Sequence, residues 1–174
     1  SITYGGQTLT GNLDVKIQVD QNTPINASNL TPGTNYESSD ITFQGGMQTI
    51  TVSVSNAVGE GPKASISLWT GQDVPKAVTN LFIGKSAEGY PLLKWTASTE
   101  SLHGGYLDVS AIYYKIVRNP DGVTVANNVT GSMYKDTSIP ENIATYSYTV
   151  IACSDAGEGE PATSDEETFN EVYT

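Results

Sequence analysis

The sequence predicts an all-β protein made of two consecutive domains of the same kind, and three observations support this prediction. Apolar and polar residues alternate in short segments such as 13–19, which is typical of a strand with one buried face. The segment 51–61 recurs as 149–159, and both copies begin with Thr-Val and end with Gly-Glu-Gly. The 17 glycines and 8 prolines divide the chain into short segments, which leave no window with a helical apolar period.

The repeat extends over most of each half of the chain, because two further segment pairs keep the same order: 33–41 with 131–139, and 12–20 with 111–119. The difference in residue number between the two copies changes by one in the connection between these segments, where loops tolerate a change of length. An ordered match of this extent indicates an internal repeat. A chain of 174 residues also suits two domains of roughly 100 residues each.

In the first half, three segments have the alternation of strands: 13–19, 49–55 and 62–69. Pro62 begins the third segment, where a missing backbone N–H is tolerated at the edge of a sheet. Tyr36 is predicted to begin a further strand that faces the core, as is Tyr134 at the matching position of the second half. The segment 69–75 joins the two halves, and its Pro75 makes the connection extended.

The second half contains matching segments and two additional ones at its start. The additional strands are predicted at 78–83 and 91–96, and Trp95 in the second of them is the candidate for the centre of the core. A loop at 98–110 then leads into a strand whose alternate residues point inward, and the segment 119–122 has the composition of a turn.

These alternating and glycine-rich segments resemble the fibronectin type III family. In the second half the matching residues are Trp95, Tyr146, Tyr148, Val150, Ala152, Ser154, Gly157, Gly159 and Pro161. In the first half they are Ile50, Val52, Val54, Asn56, Gly59, Gly61 and Pro62. The resemblance implies two immunoglobulin-like Greek-key sandwiches, the first of which lacks strands A and B. It implies an incomplete domain at 1–72 with strands C to G, a complete domain at 73–170, and a tail at 171–174 towards a further domain.

The resemblance also implies how the second domain is packed. Seven side chains are expected to be buried together: Trp95, Tyr114, Ile116, Tyr134, Tyr146, Val150 and Ala152. The hydroxyl of Tyr146 is expected to form a hydrogen bond with the backbone between Ile139 and Ile143, which is the tyrosine corner of this fold. Gln48 stands at the matching position of the first domain, so the corner there must be built differently.

The first domain is expected to be incomplete, because Ser1 matches Glu100 and nothing in the first half matches strands A and B. Without those strands one apolar face of the first domain would lose most of its cover. This face carries the side chains of Val15, Ile17, Tyr36, Val52 and Val54. This half is therefore expected not to stand alone as a complete monomeric sandwich. Either the missing strands remain attached as a separate cleaved fragment, or a neighbouring molecule covers the face. The alternative is a rearrangement such as strand swapping in a dimer.

The composition argues against several classes of partner. The formal net charge of −11 opposes binding to nucleic acids, whose phosphates require Lys and Arg, and to anionic membrane surfaces. No apolar run is long enough to insert into a membrane. The single cysteine, Cys153, cannot form an internal disulfide.

Residues that could carry catalysis are few. His103 is the only histidine and no G-x-S-x-G segment is present, so His103 is interpreted as a solvated loop residue. One histidine and one cysteine are too few for a zinc site. The carboxylates at 155–160 lack the spacing of a calcium-binding loop. The sequence therefore predicts no catalytic residue, no metal site and no cofactor.

These observations favour a non-catalytic spacer and interaction module of a larger secreted or cell-surface protein, similar to the bacterial adhesins in which such tandem domains occur. The alternative is an accessory carbohydrate-binding module of a secreted protease or glycoside hydrolase. Trp69 and Tyr106 are the candidates for contact with a protein or glycan ligand. Trp69 has a second interpretation, in which it packs between the two domains and holds them at a fixed angle.

Overall fold

The structure is a computed structural model that describes residues 8–39 and 41–170. The chain divides into two compact units, which we call unit 1 (Ser1–Gly71) and unit 2 (Gln72–Thr174). The domain boundaries expected from the sequence, 1–72 and 73–170, stay predictions, and the expected tail at 171–174 lies outside the described residues.

Unit 1 contains five strands: β1 (Leu13–Val19), β2 (Ile25–Leu30), β3 (Gly46–Asn56), β4 (Gly59–Glu60) and β5 (Ala64–Thr70). Unit 2 contains eight: β6 (Thr79–Lys85), β7 (Pro91–Thr96), β8 (Tyr113–Asn119), β9 (Val123–Val129), β10 (Met133–Lys135), β11 (Ala144–Ser154), β12 (Gly157–Thr163) and β13 (Glu167–Phe169). A short 3-10 turn at Val109–Ala111 precedes β8. The described part of the chain contains no α-helix, so the all-β fold class is confirmed.

Unit 2 is a sandwich of two antiparallel sheets. One sheet has the order β10–β7–β6, and the other has the order β12–β11–β8–β9 with β13 also paired to β11. Six of the seven side chains predicted to form the core are buried in one cluster, and Tyr134 packs against it half-buried. Trp95 lies at the centre, where its ring meets the edge of Tyr114 with the ring centroids 5.1 Å apart. The predicted core is therefore confirmed.

Unit 1 forms a single sheet among its described residues. The order is β2–β1–β3, and both β4 and β5 lie along the other side of β3. No described residue of unit 1 takes the place of β6 or β7, which agrees with the predicted lack of strands A and B. The prediction of a strand that begins at Tyr36 is wrong, because Tyr36 lies in a loop and is 40% exposed. Its counterpart β10 pairs with β7, and unit 1 offers no such partner among its described residues.

The sheet of unit 1 has two faces of different chemistry. Cross-strand partners such as Val15 and Val54, or Ile17 and Val52, place the apolar side chains on one face. The opposite face carries hydroxyl groups, which pair across β3 and β5 with the side-chain oxygens of Thr49 and Ser67 2.9 Å apart. Most of the apolar face is half-buried, and in unit 1 Val19 is the one apolar side chain fully buried among the described residues.

A buried carboxylate links two strands of unit 2, β8 and β11, to the loop that follows β10. Asp136 is completely buried and accepts hydrogen bonds from the Arg118 guanidinium at 3.0 Å and the Tyr148 hydroxyl at 2.8 Å. The Ser138 hydroxyl and backbone N–H donate to its other oxygen at 2.6 and 2.8 Å. Burial by itself raises the pKa of Asp136, but the hydrogen bonds from Ser138, Tyr148 and Arg118 lower it below its usual value.

The predicted tyrosine corner is wrong in its choice of tyrosine. The hydroxyl of Tyr146 forms no hydrogen bond with the described backbone between Ile139 and Ile143. Its ring instead lies beside the Arg118 guanidinium, 5.4 Å from the ring centroid. Tyr148, two residues later on the same inward face, donates a buried hydrogen bond to Asp136, because the carboxylate lies within reach of its hydroxyl.

We expect Tyr148→Phe to lower the free energy of unfolding of unit 2 by roughly 2 kcal/mol, since it removes a buried hydrogen bond to a charged group. Tyr146→Phe is the matched control and should change it by less than about 0.5 kcal/mol. Urea denaturation followed through the fluorescence of Trp95, in a Trp69→Phe background, measures both. Equal losses in the two variants would contradict the assignment.

Candidate functional site

The candidate site is the loop between β7 and the 3-10 turn, residues 98–107, which we call the Tyr106 loop. It runs beside residues 72–76, and three backbone hydrogen bonds join the two segments. Asp73 donates its N–H to the carbonyl of Tyr106 at 2.8 Å, Leu102 donates to Val74 at 2.8 Å, and Lys76 donates to Glu100 at 2.9 Å. An ion pair between the Lys76 and Glu100 side chains, 2.7 Å apart, closes the far end.

The carboxylate of Asp73 holds the middle of the Tyr106 loop. It is buried and accepts the backbone N–H groups of His103 at 2.7 Å, Gly105 at 3.1 Å and Val74 at 2.8 Å, together with the His103 ring Nδ1 at 2.7 Å. Burial by itself raises the pKa of Asp73, but the hydrogen bonds from His103 and the backbone outweigh it and lower the pKa to about 2. The loop is therefore tied to an anion that stays charged across the physiological range.

His103 is an exposed loop residue, as its sequence context indicates, but its ring also contacts a buried carboxylate. Its side chain is 34% exposed and contacts the buried Asp73, so the pair has the geometry of the histidine and acid of a catalytic triad. The nearby hydroxyl of Ser154 donates to the backbone carbonyl of Asp73 at 2.9 Å. The three groups therefore hold a segment of backbone in place, and the serine is not aligned as a nucleophile of the triad kind.

The β11–β12 hairpin supports the same segment from the other side. Glu160 donates its N–H to the carbonyl of Pro75 at 3.2 Å. Gly159 lies so close that any side chain there would overlap the Pro75 carbonyl oxygen. Glycine is thus required at this position by the close approach of two backbones. The Tyr106 loop, residues 72–76 and the hairpin form one hydrogen-bonded layer at the end of unit 2.

Tyr106 is the exposed aromatic residue of this layer. Its side chain is 64% exposed, while its backbone is held by Asp73 and by a bridge to Gln72. A cavity of about 20 Å³, large enough for roughly one water molecule, lies beside it. The lining includes the carboxylates of Asp108 and Asp155. The surface is therefore a shallow aromatic and acidic platform on a fixed backbone.

Trp69 belongs to unit 1, and it is described there by itself. It lies on β5, where it is half-buried and pairs in register with Met47, whose side chain is 56% exposed. The interpretation of Trp69 as a contact between the domains, and that of Trp69 or Tyr106 as a ligand contact, stay predictions.

Sequence reasoning named Tyr106 as a candidate but missed Asp73, the residue that holds its loop. Thirty positions separate Asp73 from His103, and no local spacing connects a carboxylate in a linker with a histidine in a distant loop. Within residues 8–39 and 41–170, no cluster of three or more His, Cys, Asp or Glu side chains is arranged to hold a metal ion. No helix in these ranges is long and apolar enough to cross a membrane.

Comparisons with known proteins found related shapes at low identity. No family model matches the chain, and no curated protein matches it. Among solved structures, one described as FN3tt mut is 17% identical, covers 54% of this chain and 94% of its own, and has a TM-score of 0.41. The chicken CNTN1 FN1-FN3 domains are 15% identical with a TM-score of 0.44, and the match covers 97% of this chain and 59% of theirs. Both TM-scores lie below 0.5, so the fold rests on the strand order and register given above.

We expect the stability of unit 2 to fall as the pH is lowered from about 4 to about 2. A carboxylate whose folded pKa is depressed stabilises the fold above its ordinary pKa of 3.8, and this contribution is lost as the pH falls towards the folded value. Asp73→Asn should reduce stability at neutral pH by roughly 2 kcal/mol and flatten the acid dependence. The remaining slope comes from the other carboxyl groups of unit 2 whose pKa is lowered, which are Asp136, Asp121, Asp108, Glu88 and Glu100.

The exposed Asp165 provides the matched control, since Asp165→Asn removes a carboxylate of unit 2 at a solvent-exposed position. Denaturation of both variants, monitored at Trp95 from pH 2 to neutral, makes the comparison. An Asp73→Asn curve parallel to that of the unsubstituted protein would show that Asp73 does not carry the acid dependence.

Proposed function

We propose that the chain is a non-catalytic spacer and interaction module of a larger secreted or cell-surface protein of the adhesin kind. The observation that carries this proposal is the display of Tyr106 on a loop whose backbone is fixed by the buried Asp73. Loops on a rigid β-scaffold are common binding elements, because the scaffold removes most of the entropy that a mobile loop would lose on binding.

The hydrogen-bonding pattern supports a role without catalysis. The carboxylate of Asp73 already accepts from four donors, and the ring of His103 is engaged by that carboxylate. The hydroxyl of Ser154 is engaged by a backbone carbonyl. Asp73, His103 and Ser154 are thus each engaged in contacts that hold the loop and the segment beside it.

A protein or glycan with a neutral or basic surface is the partner that fits this site. The net charge of −11 repels polyanions, and Asp108 and Asp155 make the surroundings of Tyr106 acidic. Tyrosine suits either partner, since its ring buries a large apolar area and its hydroxyl still forms a hydrogen bond.

The second candidate function is that of an accessory carbohydrate-binding module of a secreted protease or glycoside hydrolase. The observation that favours it is the 64% exposure of the Tyr106 ring, which leaves a face open for stacking against the apolar side of a sugar ring. Trp69 would provide a second aromatic surface in unit 1.

One binding experiment separates the two candidates. The full chain, Tyr106→Ala and Trp69→Ala are applied to a glycan array and to an array of extracellular matrix proteins. The control is Phe82→Ala, since Phe82 is equally exposed at 61% but lies on β6, away from the Tyr106 loop. We expect binding to a matrix protein that falls at least tenfold in Tyr106→Ala and is unchanged in Phe82→Ala.

Binding to glycans with the same dependence on Tyr106 would replace the first candidate with the second. Binding that is unchanged in both the Tyr106 and Trp69 variants would contradict a ligand site at either residue. Turnover of a substrate by the purified chain would contradict the non-catalytic role.

A further inference from the structure

The outer face of the sheet β10–β7–β6 in unit 2 carries three apolar side chains around a lysine. Trp95 of β7 is buried in the core, so its neighbour Lys94 and, two places earlier, Leu92 lie on the opposite face. Lys94 pairs in register with Phe82 of β6 on one side and with Met133 of β10 on the other. We call the surface formed by Phe82, Leu92, Lys94 and Met133 the Phe82 face.

The apolar side chains of the Phe82 face are open to solvent. Phe82 is 61% exposed and Met133 is 57% exposed. The Phe82 ring lies over Gly84, since a Cβ added at Gly84 would come within 2.8 Å of the ring Cε1. Gly84 is the cross-strand partner of Leu92, so the ring also lies beside Leu92. One side of the ring therefore rests against the strand, and the other side is available for contact.

Lys94 is the exception among the cations of unit 2. Five of the six Lys and Arg residues in unit 2 form an ion pair within the chain, and these are Lys76, Lys85, Lys115, Arg118 and Lys135. Lys94 is exposed and has no ion pair among residues 8–39 and 41–170. The chain has 19 acidic residues, yet none of those described neutralises this lysine. Lys94 is therefore available to pair with a carboxylate of another molecule.

We propose that the Phe82 face is a docking site for a segment of another protein in which an Asp or Glu is flanked by apolar side chains. The carboxylate pairs with Lys94, and the apolar side chains on either side of it cover Phe82 and Met133. Charge complementarity selects the acidic residue, and the exposed apolar side chains select its neighbours. The Phe82 face shares no residue with the Tyr106 loop, so the inference does not depend on the proposed function.

The dimensions of the Phe82 face suit a polypeptide segment. Neighbouring strands lie about 4.8 Å apart, so Phe82 and Met133 are separated by roughly 10 Å, with Lys94 between them. Seven residues of a helix rise about 10.5 Å, so apolar residues at positions i and i+7 with an acidic residue at i+3 or i+4 have this spacing. The flexible thioether of Met133 adapts to partners of different shape. A segment with this pattern reaches all three side chains at once.

The chemistry of the surroundings favours a protein over an acidic sugar. A sugar site needs polar groups that bind the hydroxyls in addition to an aromatic ring. Thr96, the next residue of β7 on this face, is already hydrogen-bonded to Asn80 at 3.1 Å. Lys135 is paired with Glu88 at 3.4 Å. Lys94 is thus the polar group that remains for a ligand, and the rest of the Phe82 face is apolar.

Selection from a library of random short peptides, displayed on phage and applied to the full chain, tests the proposal. Peptides that bind the unsubstituted chain and are released by Lys94→Glu are synthesised, and fluorescence anisotropy measures their affinity. We expect these peptides to carry an Asp or Glu flanked by aromatic or aliphatic residues. The contact area is small, so we expect a dissociation constant on the order of 100 μM.

Variants of the Phe82 face locate the binding of the selected peptides. Lys94→Glu and Phe82→Ala should each weaken it roughly tenfold. Gly84→Ala should weaken it about threefold although Phe82 is retained, because the added methyl group displaces the ring. The matched control is Lys63→Glu, which makes the same change of charge at an exposed lysine of unit 1. Lys63→Glu and Tyr106→Ala should bind like the unsubstituted chain, and urea denaturation confirms that each variant is folded.

A double-mutant cycle tests the ion pair itself. The acidic residue of a selected peptide is replaced by its amide, and the peptide pair is measured against the unsubstituted chain and Lys94→Gln. The amide peptide should bind the unsubstituted chain about fivefold more weakly, whereas Lys94→Gln should bind both peptides equally. Added salt should weaken binding of the acidic peptide more than that of the amide peptide.

Three results would overturn the proposal. A selection that yields only peptides whose binding is unchanged in Lys94→Glu shows that no peptide uses the Phe82 face. Binding of acidic glycans on an array that is lost in Lys94→Glu would assign the face to a carbohydrate. Dimerisation of the chain in sedimentation equilibrium that is lost in the same variant would assign the face to a second copy.

Discussion

A sheet with one apolar face must place that face against something other than water, and this requirement organises both units. In unit 2, β8 and β11 direct Ile116 and Val150 towards a second sheet, whose Leu93 and Trp95 are buried against them. Unit 1 repeats the first of these sheets with the same alternation, but its described residues include no second sheet. Its apolar face is consequently half-buried, and the two units differ in packing much more than in strand pattern.

Unit 2 contains a buried ionic network, and unit 1 has an uncharged residue at each of the three matching positions. Arg118, Asp136 and Tyr148 of unit 2 match Val19, Ser38 and Ile50 of unit 1. Arg118 and Tyr148 are cross-strand partners, as are Val19 and Ile50. Removing one member of the network would leave a buried charge without its partner, which costs several kcal/mol, whereas an apolar pair of the same geometry is tolerated. The matching position is buried in both units, and in unit 1 it holds the apolar Val19 in place of Arg118.

The sequence predicted most of the fold, because alternation reports burial directly. It located the strands of unit 2 and the core around Trp95, and it recognised that unit 1 lacks two strands. The prediction failed where the alternation of apolar and polar residues cannot distinguish two candidate side chains. Tyr146 and Tyr148 share one face, so only the position of Asp136 decides which hydroxyl is bonded. Tyr36 matches Tyr134 in position, but a strand requires a partner, and β7 has no described equivalent in unit 1.

The candidate site was predictable only in its exposed residue. Tyr106 follows two glycines in a loop, which marks it as a displayed aromatic. Its loop is held by Asp73, which accepts hydrogen bonds from backbone N–H groups. Every residue except proline carries such a group, so the sequence does not reveal which of them the carboxylate binds.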